Sequence, residues 1–166
     1  MMNTLMLLVL AVALGEMPCA GVRTEEVAFS ALPEACVREY DSSLAEWRKA
    51  KGTMIRRFDI DGDGADELLV WSGEAGSGGE GWSVMTRRSG AWRCAGRIFG
   101  VVYFVDRPPQ RGLVVASPCG WRYADWEYFE LENGVLKSRI KLAIRYRKPE
   151  GNILRTRPEE IIVKEK

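Results

Sequence analysis

Histidine is absent from the 166-residue chain. Its absence removes Ser-His-Asp and Cys-His catalysis, histidine-ligated zinc and imidazole general bases together. Any catalytic chemistry must therefore run on carboxylates, Tyr, Lys or Cys. An excess of charge is missing too: 24 Lys and Arg face 23 Asp and Glu, a net charge of +1. That balance neither steers the protein toward nucleic acid nor makes the chain self-repelling and disordered. The unbroken apolar run from Leu5 to Leu14 holds ten residues, against the roughly 20 that a membrane-spanning helix needs. What is present is 46% hydrophobic residues in a length that suits one domain with a real core.

The short apolar run at the N-terminus has the length of a signal-peptide core, although no Lys or Arg precedes it. We read residues 1–20 as a leader rather than a buried apolar helix, with cleavage after Gly15 or Ala20. The mature chain is then a single domain, 21–166, that is secreted or periplasmic. Cys19 invites a lipoprotein reading, but Glu16-Met17-Pro18 before it is a poor lipobox, so the membrane enters only through the leader. Export would place Cys36, Cys94 and Cys119 in an oxidising compartment. Cys94–Cys119 is the preferred bridge, with Cys36 a buried thiol; the alternative is that all are packed small hydrophobes.

Residues 32–50 place Cys36, Val37, Tyr40, Leu44 and Trp47 at steps of three and four, which predicts one amphipathic helix ending near Gly52. From Thr53 the pattern is β: Thr53–Phe58, Glu67–Trp71, Trp82–Thr86, Ala91–Ala95, Ile98–Val105, Leu113–Ser117, Tyr123–Leu131 and Val135–Ile144, with Ile161–Val163 as a last edge strand. Asn133-Gly134 is a strong hairpin signal, because both residues tolerate the positive φ of a type I′ turn. The segment from Ser72 to Gly81, SGEAGSGGEG, reads as a flexible connection. It lacks both the Lys of a phosphate loop and the spacing of a dinucleotide fingerprint. The expected class is mainly β (α+β), with antiparallel sheets preceded by one helix.

One segment concentrates chemistry. Asp59-Ile60-Asp61-Gly62-Asp63-Gly64-Ala65-Asp66-Glu67 has carboxylates at its first, third, fifth and ninth positions and another at the eighth. Like charges this close repel unless something compensates them, and calcium takes six to eight hard oxygen ligands in flexible geometry. The glycines let the backbone wrap an ion. Asp59, Asp61 and Asp63 are expected to give side-chain oxygens, Ala65 a backbone carbonyl and Glu67 a carboxylate, while Asp66 faces water. This is not an EF-hand, which needs a bidentate Glu at position twelve and flanking helices. Position twelve here is Val70, within β-prone Leu68-Leu69-Val70-Trp71. The bland alternative is a solvated turn that binds nothing.

Asp-x-Asp-Gly-Asp-Gly-x-x-Glu followed by Leu-Leu-Val resembles the calcium loop of FG-GAP and VCBS-type repeats of integrin-like β-propellers. The resemblance covers residues 58–72 well and 53–98 loosely. It implies the same five ligands and one or two propeller-blade-like units, with Glu67 standing where many members have Asp. A full propeller needs about four to eight blades, and a single acidic loop in this length cannot supply them.

The tryptophans Trp71, Trp82, Trp92, Trp121 and Trp126 are expected mostly in the core, with Trp121 and Trp126 the most exposed. Trp121–Trp126 is accordingly the segment expected to face a ligand. Arg139, Lys141, Arg145, Arg147 and Lys148 read as a solvated basic face that protects an edge. Together these features predict an exported, non-enzymatic calcium-binding β domain whose partner is a protein or carbohydrate at the cell surface, not nucleic acid. The alternatives are a carboxylate-dependent cell-envelope hydrolase and a metal-free structural or inhibitor-like protein.

Overall fold

The computed structural model describes residues 4–13, 15, 20–38, 52–120, 122–146 and 158–164. Among the described residues, nine strands follow one another as an antiparallel meander: β1 (Thr24–Val27), β2 (Thr53–Phe58), β3 (Glu67–Gly76), β4 (Gly79–Arg88), β5 (Ala91–Arg107), β6 (Gln110–Pro118), β7 (Tyr123–Glu132), β8 (Val135–Tyr146) and β9 (Pro158–Lys164). Helix α1 (Thr4–Ala13) precedes them, and α2 (Glu34–Arg38) lies between β1 and β2. The mainly β class with a preceding helix is therefore the observed one.

β5 is the hinge of the architecture. Its first part, up to Gly100, pairs with β4, and its second part, from Val101, pairs with β6. The meander thus has two halves that share this strand: sheet A (β1–β5) and sheet B (β5–β9). Between them Ile60, Leu69, Trp82 and Val84 of the first half meet Phe104, Leu113 and Val115 of the second. On the far face of sheet A, Ile55, Leu68, Val70 and Met85 are covered by Leu32 and Cys36 at α2. On the far face of sheet B, Trp126, Leu142 and Ile144 are covered by Leu8, Val9 and Val12 of α1. The order of layers is helix, sheet, sheet, helix. Burial on both faces explains why Leu68-Leu69-Val70 is apolar without alternation: Leu69 enters the central core, and its neighbours enter the outer one.

Two bulges adjust the faces. Val84 pairs with Gly96 but Met85 with Cys94, so Ala95 is the extra residue of β5 and turns into the central core. Tyr128 pairs with Ile140 but Phe129 with Ser138, which leaves Arg139 as the extra residue of β8. The β7–β8 turn has φ of +54° at Asn133 and +74° at Gly134, the positive pair that the dipeptide predicts.

Several expectations need correction. The glycine-rich stretch is not a flexible connection: most of it is paired in β3 and β4, with the turn confined to Ser77-Gly78. A Cβ at Gly79 would fall 2.6 Å from the Gly100 Cα, so glycine there permits close backbone approach between β4 and β5. Ala91–Ala95 and Ile98–Val105 are one continuous strand, bent at a bulge rather than broken. Trp126 is 1% exposed, because β7 is an inner strand whose face lies under α1. Ala124 is buried as well, so the Trp121–Trp126 segment offers mainly Tyr123 to solvent, and Trp121 itself lies outside the described residues. Cys94 and Cys119 are thiols, not a bridge: Cys94 packs at the outer core of sheet A, whereas Cys119 follows β6 in sheet B. Cys36 is the buried thiol that was expected. Of the helix expected at 32–50, Glu34–Arg38 is observed, and 39–51 lies outside the described residues. Within residues 1–20, Thr4–Ala13 forms α1, a helical state that a leader's apolar core also adopts; among the described residues no helix is long and apolar enough to cross a membrane.

Candidate metal centre

The acidic loop connects β2 to β3 at one end of the central core. Ile60, fully buried in that core, anchors it, and Gly62 (φ +78°) and Gly64 (φ +88°) supply the left-handed backbone that folds it back on itself. The carboxylates then organise the turn from within. Asp59 accepts from the N–H of Gly62 (2.7 Å) and of Gly64 (3.2 Å), Asp61 from the N–H of Asp63 (3.3 Å), and Asp63 from the N–H of Ala65 (2.8 Å). Asp and Asn side chains favour such local bonds, which give a loop its shape at short range.

Glu67 opens β3 and is 3% exposed. One oxygen accepts from the Ile60 N–H at 2.9 Å and the other from the Thr86 hydroxyl at 3.1 Å. Burial pushes its carboxyl up to about 7; the Asp61 and Asp63 charges add to that, and the two hydrogen bonds oppose it. Asp61 is also raised, first by partial desolvation and then by the Asp63 charge. Asp59 has a further partner: Arg111 of β6 donates to it at 2.8 Å and binds Asp106 at 2.9 Å. The loop belongs to sheet A and Arg111 to sheet B, so this ion pair ties the two halves together beside the core.

Oxygens of Asp59, Asp61 and Glu67 all lie within 4.8 Å of one another. Two ligands of one calcium, each about 2.3–2.6 Å from it, can be about 5 Å apart at most, so this spread fits a shared ion. Asp59 Oδ2 already accepts from both Gly64 and Arg111, but Asp59 Oδ1 and each Glu67 oxygen accept one hydrogen bond and keep a lone pair for an ion. The structure thus brings three of the five expected residues together. Asp63 stands outside that cluster and caps Ala65, whose N–H is engaged there; Asp66 is exposed. Sequence reasoning missed Arg111, Asp106 and Thr86. The isoleucine set among the aspartates was the one local sign that the loop is anchored in a core.

Among the described residues, other charged side chains form cross-strand pairs, including Arg139 with Glu130 and Glu132, Lys141 with Asp125, and Arg145 with Glu160. Of the basic face expected to protect an edge, Arg139, Lys141 and Arg145 thus lie paired with acids on β8, an inner strand between β7 and β9, and Arg147 and Lys148 lie outside the described residues. Comparison with family models, with curated proteins and with solved structures gives no match for the chain.

Proposed function

We propose that the protein is an exported calcium-binding β domain, non-enzymatic, in which the ion is structural. The observation that carries this reading is the convergence of Asp59, Asp61 and Glu67 oxygens within 4.8 Å at the mouth of the central core. Asp63 and the Ala65 carbonyl complete the proposed shell, in keeping with the FG-GAP/VCBS-type resemblance of the loop. A buried glutamate with a raised carboxyl beside two aspartates gains more from a divalent cation than an isolated surface acid does. The ion would hold the β2–β3 connection in register and fix the end of the inter-sheet core. In a millimolar extracellular calcium pool even a weak site is filled. A protein or carbohydrate at the cell surface is the proposed partner class.

The Asp59–Arg111 pair favours a second reading, in which the loop is a metal-free clasp and arginine alone compensates it. Calorimetric titration of calcium into chelator-treated protein separates the two. The calcium reading expects a saturable heat with proton release near pH 6.5, where Glu67 is partly protonated. The clasp reading expects neither.

A further inference from the structure

We propose that Cys36 and Cys94 are a disulfide-exchange pair: Cys94 attacks an external disulfide, and Cys36 resolves the adduct into a bridge between α2 and β5. The proposal is independent of the calcium reading. An exported location bears on it only as the place where an oxidant is met.

The pair shares one compartment. On the outer face of sheet A a row crosses three strands, with Leu68 of β3 opposite Met85 of β4 and Met85 opposite Cys94 of β5. Leu68 and Met85 are buried there together with Cys36, and Cys94 and Trp92 pack against the same cluster. α2 lies over β5, with backbone atoms of the two elements within 8 Å of one another. Cys36, 1% exposed, is the residue that α2 buries in that layer. A disulfide joins Cα atoms about 4.4–6.8 Å apart, a separation inside this approach. Cys119 is placed differently: it is exposed and follows β6 in the other sheet.

Access sets the order of attack. Cys94 is half-buried, and its Sγ donates to the Gly96 carbonyl at 3.6 Å, a weak bond that costs little to give up. Its thiolate can meet a solute, whereas Cys36 is closed to one. When Cys94 attacks an external disulfide, that S–S bond breaks; one half leaves and is protonated, and the other half stays on Cys94. The Cys36 thiolate then attacks the Cys94 sulfur and expels the second half as a thiol. Two protein thiols and one external disulfide thus become one internal disulfide and two external thiols, and the electrons balance. A bulky adduct beside Trp92 disturbs a close-packed layer, which favours its expulsion.

The bridge would act where the fold is held least. α2 spans five residues, too few to be stable without its packing. The ring closed by the bridge contains β2, β3, β4 and the acidic loop, so the cross-link restrains the unfolded chain across most of sheet A.

The test is oxidation of the folded, reduced full chain by oxidised glutathione, followed by alkylation, trypsin and mass spectrometry without reductant. The expected product joins residues 24–38 to residues 94–97, in about tenfold excess over any other pairing, with glutathione on Cys119. In guanidinium the same oxidation should scatter over several pairings. The melting temperature of the oxidised chain should rise by about 5–15 °C and return on reduction. Cys94→Ala, which leaves buried Cys36 in place, should remove both the linked peptide and the rise. Separate glutathione adducts on Cys36 and Cys94, two unmodified thiols, or a bridge from either to Cys19 or Cys119 overturn the proposal. So does equal selectivity in guanidinium, or a Cys94→Ala chain that gains the same stability on oxidation.

Discussion

Glu67 holds the acidic loop to the core through the Ile60 N–H and the Thr86 hydroxyl, and its raised carboxyl has a consequence for pH. A carboxyl lifted to about 7 in the folded state favours the protonated form. Its contribution to stability is therefore complete below the unfolded value and is lost as pH rises through about 7. In chelator, the melting temperature of the unaltered protein should fall relative to Glu67→Gln between pH 5 and 8, and parallel curves would refute the assignment. Arg111 gives a second prediction at this scale. Arg111→Gln removes a partly exposed pair with Asp59 and another with Asp106, and should cost about 1 kcal/mol in urea titrations without calcium, less at high salt. The acids of this site were legible because they are consecutive and cooperate through local hydrogen bonds. Arg111 was not, since it lies 52 residues beyond Asp59 and no local pattern marks it.

At the scale of elements, legibility followed how local the determining force was. The β7–β8 turn was readable from two residues because positive φ is a property of the dipeptide itself. Gly134→Ala should accordingly cost about 1 kcal/mol, or about 2–4 °C in melting temperature, mainly through backbone strain, with the Arg88 side chain 3.1 Å from the added Cβ having to give way. An unchanged midpoint would contradict the assigned turn. The glycine-rich stretch misled because glycine there serves close strand approach, Gly79 lying against Gly100 of β5, rather than flexibility. β5 was read as two strands because Gly96 and the Ala95 bulge interrupt alternation, yet a bulge bends a strand without ending it. Trp126 was misplaced for a different reason: what covers it is α1, more than a hundred residues earlier in the chain.

The whole molecule is two halves of one meander, joined along β5, packed on a shared core and closed at one end by the acidic loop and Arg111. Composition and strand periodicity made the mainly β class readable. The layering was not, because it depends on which half of β5 pairs with which neighbour. On this account a cation at Asp59, Asp61 and Glu67 stabilises the assembly from its mouth, since the loop spans from Ile60 in the central core to Arg111 in sheet B. The most direct test is the melting temperature of the full chain, unaltered and as Asp61→Asn, across a calcium series. At about 100-fold excess over the dissociation constant, linkage predicts about 2.7 kcal/mol, a rise of about 5–10 °C for a protein of this size, absent in the variant. An unaltered protein that melts at one temperature from chelator to millimolar calcium, or a variant that rises equally, contradicts it.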